Sequence, residues 1–277
     1  IYNAIYSSDV PVKSCQLYNS NGCDSIAVLN LTINYSDTSF TNIIACDSVE
    51  WNGTWYDSSG TYYSNNGSSN NYSMSFDGLN DHVEIADTST LQVDEFTVIM
   101  DVYIENIGSE MALFTKLEDN ADNEQFYCGI NTLGQLHFGV KIGSSCIAGN
   151  GWQTFTSSLA LSANQWYNLA YQYDQDKLKL YVDGILIGEN DIVNDGPIDS
   201  CFGGSIRFGK NWNGGPNFFN GKIDNIQFWN FDLDTNDIQT FISCNPIGNE
   251  IGLIGLWNFE EGNGNTALDQ TSNSHDG

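Results

Sequence analysis

Apolar and polar residues alternate along most of this chain, in short runs that turn residues interrupt about every 8 to 12 positions. The runs are rich in valine, isoleucine, tyrosine, phenylalanine and threonine, which favour the pleated surface of a sheet. The pattern predicts an all-β chain. Clear strands are predicted at residues 96–105, 135–141, 166–174, 177–182, 205–209 and 222–230.

Two local signals refine this pattern. Asp183-Gly184 separates the apolar runs at 177–182 and 185–189, and an Asp-Gly pair in that position is a strong signal for a two-residue hairpin. Residues 234–242 are the one stretch with helical spacing, with Asp234 or Thr235 as the cap and Ile238 on the apolar face.

A change of composition at residues 64–71, which are all Ser, Asn or Gly, predicts a linker. Upstream, Cys-Asp-Ser follows a turn at 23–25 and again at 46–48, which indicates an internal repeat. Residues 1–63 are therefore predicted to form a small Ig-like β unit, or parts of two. Residues 72–277 are predicted to form a larger β-sandwich, and we expect the chain to continue beyond residue 277 into a further module.

Charge narrows the possible partners. The 8 Lys and Arg residues stand against 35 Asp and Glu residues, so the formal net charge is −27. A chain this acidic repels nucleic acids and anionic membranes. No run approaches the roughly 18 apolar residues that a membrane-spanning helix needs. The many carboxylates are ligands for hard cations, which makes Ca²⁺ the metal to expect, although most of them are expected to be solvated surface residues.

The seven cysteines show no CxxC pair, and no histidine lies at ligand spacing, which argues against a structural zinc site. Disulfides are the favoured interpretation: Cys128 with Cys146 and Cys15 with Cys23 could each close a short loop. The alternative is a set of buried free thiols. The odd number leaves at least one thiol unpaired within this sequence.

Four segments occur in an order typical of one family: residues 73–85, 166–169, 179–184 and 221–230. Together they resemble the laminin-G-like, concanavalin A-like lectin/glucanase superfamily, in the branch common in bacterial surface proteins, over about residues 71–260. The resemblance implies a jelly roll of two antiparallel sheets. The upstream repeat resembles short Cys-Asp-Ser repeats found in tandem in secreted proteins of marine Bacteroidetes, which implies an extracellular or cell-surface location.

The turn after Phe76 is the candidate metal site. Asp77, Asn80 and Asp81 place three oxygen ligands within five residues, a spacing that suits Ca²⁺. In resembling domains a Ca²⁺ ion is often held between this turn and the strand that carries Gly-Lys-Ile-Asp, which would recruit Asp224 as a fourth ligand. The alternative is a plain hairpin turn, with Asp224 bonded locally.

Candidate sugar-binding residues are aromatic side chains in loops that also carry planar polar groups. Trp212 lies in a loop rich in glycine and asparagine together with Asn213 and Asn217, and Trp152 is the second candidate. Trp212 could instead anchor its own loop. Three other tryptophans lie inside alternating strands and are predicted to be core or cross-strand residues: Trp166, Trp229 and Trp257.

The sequence offers little for catalysis. Enzymes of the resembling superfamily carry a Glu-x-Asp-x-x-Glu strand motif, which this chain lacks. The leading hypothesis is therefore a non-catalytic carbohydrate-binding or adhesive module with calcium support, whose partner is a glycan. The alternative is a structural repeat unit of an extracellular filament that contacts neighbouring copies of itself. A glycoside hydrolase or lyase is the third hypothesis.

Overall fold

The computed structural model describes the chain in two compact units, Ile1–Asn66 and Gly67–Gly277. In the first unit it describes only the backbone of five strands. In the second it describes residues 72–117, 125–143, 151–193, 196–199, 204–211 and 217–277. No helix in these parts is long and apolar enough to span a membrane.

The strands of the first unit form two small antiparallel groups. A three-stranded sheet contains β1 (Tyr2–Tyr6), β2 (Pro11–Tyr18) and β3 (Asp24–Asn30), and a hairpin pairs β4 (Val49–Trp51) with β5 (Thr54–Tyr56). Cys23, the predicted partner of Cys15, lies outside the described residues. The Ig-like character of this unit stays a prediction.

The second unit is a sandwich of two antiparallel sheets, which confirms the predicted all-β jelly roll. One sheet has the strand order β12-β11-β10-β9-β16-β7, and the other has the order β15-β14-β13-β8-β17-β18 with β6 also paired to β17. Their bounds are β6 (Met74–Asp77), β7 (Val83–Ile85), β8 (Phe96–Ile104), β9 (Met111–Lys116), β10 (Phe126–Ile130), β11 (Gln135–Lys141), β12 (Trp152–Ala160), β13 (Gln165–Tyr173), β14 (Lys177–Val182), β15 (Ile185–Asp191), β16 (Ile206–Phe208), β17 (Asn220–Trp229) and β18 (Leu253–Trp257).

Apolar side chains alternate with other side chains along the strands, and the apolar ones form the core between the sheets. The even-numbered residues of β8 all belong to the main hydrophobic cluster, whereas Thr97, Ile99 and Asp101 do not. Phenylalanine rings meet at the centre, where Phe114 stacks on Phe126 with centroids 5.7 Å apart and contacts Phe228 at 5.1 Å. Each such ring contributes about 1.5–3 kcal/mol through burial, so this aromatic centre is the main force that joins the two sheets.

A helix covers part of the outer face of the seven-stranded sheet. Helix α1 (Thr235–Ser243) begins after Asp234, whose side chain accepts a hydrogen bond from the Asp237 backbone amide at 2.8 Å. Ile238 is fully buried in a second cluster that includes Ile99 and Trp229. The predicted helix, its cap and its apolar face are therefore confirmed.

The predicted Asp183-Gly184 hairpin is also present. It joins β14 to β15 with positive φ angles of 50° and 72°, the conformation that a tight hairpin turn of this kind requires. Gln239 of α1 donates a hydrogen bond to the Gly184 carbonyl at 3.2 Å. This hydrogen bond connects the turn to helix α1.

The predicted disulfide of Cys128 with Cys146 is wrong. Cys128 is a free cysteine with no exposed surface, and Cys146 lies outside the described residues. The physical reason is the face of the strand: Cys128 of β10 lies opposite Phe138 of β11, and its side chain belongs to the core cluster. Burial raises the pKa of the Cys128 thiol well above its usual value.

The closing segment of the chain is held by one buried carboxylate. Asp269 accepts hydrogen bonds from the backbone amides of Leu256 at 3.0 Å, Thr271 at 2.9 Å and His275 at 2.9 Å. The indole of Trp257 in turn donates to the His275 carbonyl at 2.9 Å. This network fixes the C-terminal residues against the edge strand β18.

We expect Asp269→Ala to lower the free energy of unfolding by about 3 kcal/mol, because several buried donors lose their acceptor at once. Urea unfolding measures the change. Asp176→Ala is the matched control, since Asp176 is exposed and the hydrogen bonds that it forms with described residues come from its backbone amide and carbonyl, which alanine keeps. An equal loss in both variants would contradict the assigned role of Asp269.

We also expect a thiol reagent to label Cys244, which is exposed, and to leave Cys128 unlabelled in the native protein. Because Cys128 is buried, the reagent cannot reach its thiol, and burial also disfavours the reactive thiolate form. Peptide mapping by mass spectrometry measures labelling at each site. A crosslinked peptide that joins Cys128 to Cys146 would overturn this assignment.

Candidate functional site

The part of the outer face that α1 leaves uncovered holds an open groove. Its volume is about 520 Å³, within the usual range for small-ligand sites. Eight residues line it: Tyr72, Ser73, Asp101, Trp166, Tyr167, Asn168, Asp183 and Asp224. Most come from the central strands β8, β13 and β17, so the floor of the groove is a rigid sheet rather than a loop.

Strand register brings the polar side chains of the floor together. Asp101 of β8 lies opposite Asn168 of β13 on one side and opposite Asp224 of β17 on the other. Residues opposite each other in an antiparallel pair point to the same face. The three residues therefore form one line across the sheet, which we name the polar row.

A second line of side chains runs beside the polar row. Tyr103 of β8 lies opposite Trp166 and opposite Lys222. The Trp166 and Tyr103 rings have centroids 5.6 Å apart, and the Lys222 ammonium lies 5.7 Å from the Tyr103 centroid. We name Trp166, Tyr103 and Lys222 the aromatic row. On the other side of the polar row, Ile99 lies opposite Ala170, and both are buried in the cluster that contacts α1.

A bulge in β17 shapes the polar row. The register of β17 with β8 shifts after Asp224, and Asn225 adopts a positive φ of 48°. Asparagine tolerates this conformation better than most residues. The Asn225 side-chain amide donates to Asp101 Oδ2 at 2.8 Å, while its backbone amide donates to Asp224 Oδ1 at 2.7 Å. One asparagine thus orients two carboxylates.

Asn168 is the other amide that orients Asp101. Its side-chain nitrogen donates to Asp101 Oδ1 at 3.0 Å, and its backbone amide donates to Asp183 Oδ1 at 2.9 Å. Asn168 is only 9% exposed, and its side-chain oxygen is buried without a hydrogen-bond partner. The contact with Asp101 fixes this orientation, because the opposite rotamer would place two acceptors against each other.

Trp166 supplies the exposed aromatic surface. It is 47% exposed, and Tyr72 at the other end of the lining is 51% exposed. The sequence predicts Trp166 to be a core or cross-strand residue, and the structure makes it a cross-strand residue that contacts Tyr103 where α1 does not cover the sheet. Trp229 and Trp257 are buried, as predicted.

The residues predicted to bind sugar do not line this groove. Trp212 and Asn213 lie outside the described residues. Asn217 accepts a hydrogen bond through its carbonyl from the Ala112 amide of β9, at 3.2 Å. Trp152 of β12 packs beside Ala112 and Tyr127 on the six-stranded sheet. The described members of the predicted set therefore belong to the other sheet.

The predicted metal ligands are divided between two places. Asp77 Oδ1 accepts backbone hydrogen bonds from Leu79 and Asn80, and Asp81 Oδ2 accepts one from Asp77. These bonds hold the pKa of Asp77 below its usual value. Both carboxylates thus accept backbone hydrogen bonds within the turn, as expected for a plain turn.

Asp224 is not part of this turn. Asn220 of β17 pairs with Asp77, so Asp224 lies four residues, or about 13 Å, further along the strand. Within the described ranges, no group of three His, Cys, Asp or Glu residues could hold a metal ion. The four predicted ligands are therefore not assembled in one place, and a Ca²⁺ ion bound by Asp77, Asn80 and Asp81 alone stays a prediction.

Comparisons with known proteins support the fold. A crystal structure of a candidate carbohydrate-binding protein from Bacteroides ovatus is similar, with a TM-score of 0.55, 17% identity, 73% of this chain covered and 57% of that chain. The present chain thus spans little more than half of that protein.

Two further solved structures are similar at lower scores. The heptameric SAP-like pentraxin of Limulus polyphemus has a TM-score of 0.48, 20% identity, and coverage of 65% of this chain and 87% of that one. The CBM40 of a Ruminococcus gnavus sialidase, bound to sialyllactose, has a TM-score of 0.47, 14% identity, and coverage of 61% and 94%. A comparison with curated protein sequences finds no match.

Most of the sandwich, of the ordered motifs and of the groove lies in the segment that a family model matches. That model is a laminin-G model described as the concanavalin A-like lectin/glucanases superfamily, and it covers residues 76–239. The chain belongs to this superfamily.

Proposed function

We propose that the second unit is a non-catalytic carbohydrate-binding module and that the glycan lies in the groove over the polar and aromatic rows. The observation that carries this proposal is Trp166, a half-exposed tryptophan on a rigid strand with the polar row directly beside it. The apolar face of a pyranose packs on an aromatic ring while its hydroxyl groups need polar partners. The groove offers both, because Trp166 and Asn168 lie two residues apart on the same face of β13.

The groove is favoured over the six-stranded sheet, where Trp152 and Asn217 lie. Trp152 is partly buried against Leu117 and Tyr127, and Tyr127 is only 8% exposed, so little aromatic surface there is open to a ligand. Asn168 and Asp101, in contrast, place polar side chains in the groove beside the half-exposed Trp166.

Binding is favoured over hydrolysis because of how Asp101 is held. A glycosidase needs one carboxyl group that carries a proton for the leaving oxygen, and a second that acts as nucleophile or base. Both Asp101 oxygens already accept hydrogen bonds from side-chain amides, so neither is placed to donate a proton to a leaving oxygen. Asp224 has one oxygen bonded to a backbone amide in the same way.

The same function fits a secreted or surface-attached protein that adheres to a glycan. The alternative is a structural unit of an extracellular filament, which requires contacts between copies of the chain rather than a sugar. Ordered assembly of the purified chain, together with no binding to any oligosaccharide tested, would favour this alternative.

We expect Trp166→Ala to weaken oligosaccharide binding at least tenfold, because the aromatic anchor at the centre of a small interface carries much of its binding energy. Titration calorimetry against a panel of oligosaccharides measures the change. Trp152→Ala is the matched control and should bind like the parent chain. The reverse result, with binding lost only in Trp152→Ala, would move the site to the six-stranded sheet.

A further inference from the structure

The groove carries a half-exposed aromatic side chain at each end. Trp166 is 47% exposed on β13, Tyr72 is 51% exposed just before β6, and both line the groove. Because β8 and β17 lie between β13 and β6, three strand spacings, or about 14 Å, separate the two positions across the sheet. A single sugar ring therefore cannot cover both aromatic surfaces.

The Tyr72 ring is held in place by the segment that follows β18. Its backbone amide donates a hydrogen bond to Glu260 Oε1 at 3.2 Å, and its ring packs against Gly262. Gly262 has a positive φ of 67°, and a Cβ atom at this position would lie 2.9 Å from Tyr72 Cζ. The lack of a side chain at Gly262 thus allows the ring to rest on the backbone, while about half of the tyrosine stays open to a ligand.

The surface between the two aromatic side chains offers both donors and acceptors. Lys222 of β17 and Ser73, which lies beside Tyr72, carry donors that no hydrogen bond among the described residues uses. Asp101 of β8 is only partly buried and supplies carboxylate oxygens. A sugar hydroxyl group both donates and accepts hydrogen bonds. The middle of the groove therefore suits the hydroxyl groups of a neutral sugar chain.

Building on the proposed function, we infer that the groove binds a linear oligosaccharide segment of at least three units, which lies across the strands from Trp166 to Tyr72. In an extended glycan, each pyranose unit advances by roughly the spacing of two neighbouring strands, so about three units cover the distance between the two aromatic positions. One unit packs on Trp166 and another on Tyr72, and the hydroxyl groups between them meet Asp101 and Lys222. Tyr72 is thus the residue that determines specificity for chain length.

The test compares chain lengths within one series of oligosaccharides. Cello-, xylo-, manno- and galacto-oligosaccharides of two, four and six units are titrated by calorimetry. In the series that binds, we expect the affinity to rise at least tenfold from two to four units, because only the longer chain reaches Tyr72 as well as Trp166. Between four and six units the affinity should change little, because both aromatic side chains are already covered.

Variants of Tyr72 separate the role of its ring from that of its hydroxyl group. Tyr72→Ala should lower the affinity for the four-unit chain to about that for the two-unit chain, because the second aromatic surface is lost. Tyr72→Phe keeps the ring and should keep the rise with length. Trp166→Ala should weaken binding at every length.

Two glycine variants test the position of the ring without a change to Tyr72 itself. Gly262→Ala should reduce the rise with length, because the added methyl group displaces the ring. Gly264→Ala is the matched control: Gly264 also has a positive φ, of 116°, but nothing lies within 4 Å of its Cβ position. It adds backbone strain to the same segment and should bind like the parent chain. An equal loss in both glycine variants would overturn the role assigned to Tyr72.

The remaining outcomes distinguish this inference from the proposed function. If a two-unit chain binds as tightly as the longer ones, and Trp166→Ala abolishes its binding while Tyr72→Ala does not affect it, the inference about length is overturned and the proposed function stands. If affinity rises with length equally in the parent chain and in Tyr72→Ala, the inference is overturned in the same way. If no oligosaccharide binds, both the inference and the proposed function are overturned.

Discussion

The register of β8 with its two neighbours is the constraint on which the groove depends. Because Asp101 lies opposite Asn168 and Asp224, three polar side chains occupy one line on a sheet whose other face is the hydrophobic core. A shift of one residue in either pairing would send these polar side chains into the core, at a cost of several kcal/mol for each buried charge. The aromatic centre on the opposite face keeps the register in place. The site and the core are thus two consequences of one alignment.

The helix completes the arrangement. On the outer face of a central strand, apolar residues are normally covered by another element and polar residues are normally solvated. The outer face of β8 carries both kinds in succession. Ile99 lies under α1, whereas Asp101 and Tyr103 lie beyond it. No residue of α1 is among the described residues that line the groove, so the groove lies on the part of the sheet that the helix leaves uncovered.

Local sequence predicts most of this fold. The strands, the Asp183-Gly184 turn and the Asp234 cap are local signals, and each is present. The alternation of Phe126, Cys128 and Ile130 also contained the information that Cys128 faces the core, but loop length suggested a disulfide. The strand face of a residue was thus a better guide than its distance from another cysteine.

The groove itself could not be predicted from local pattern. Asp101, Asn168 and Asn225 are far apart in sequence, and only the pairing of distant strands brings them together. The exposure of Trp166 depends on where α1 ends, which periodicity within β13 does not encode. Asp224 was assigned to the Asp77 turn from a family resemblance, yet its position along β17 places it in the polar row instead.

The most direct test of the groove is a nitrogen–proton correlation spectrum recorded while an oligosaccharide that binds is added. Indole signals report each tryptophan separately, and side-chain amide signals report Asn168 and Asn225. We predict that the Trp166 indole and both amides shift, while the buried Trp229 and Trp257 stay unchanged. Shifts confined to Trp152 and its neighbours, with the polar row unaffected, would contradict the assignment of the site.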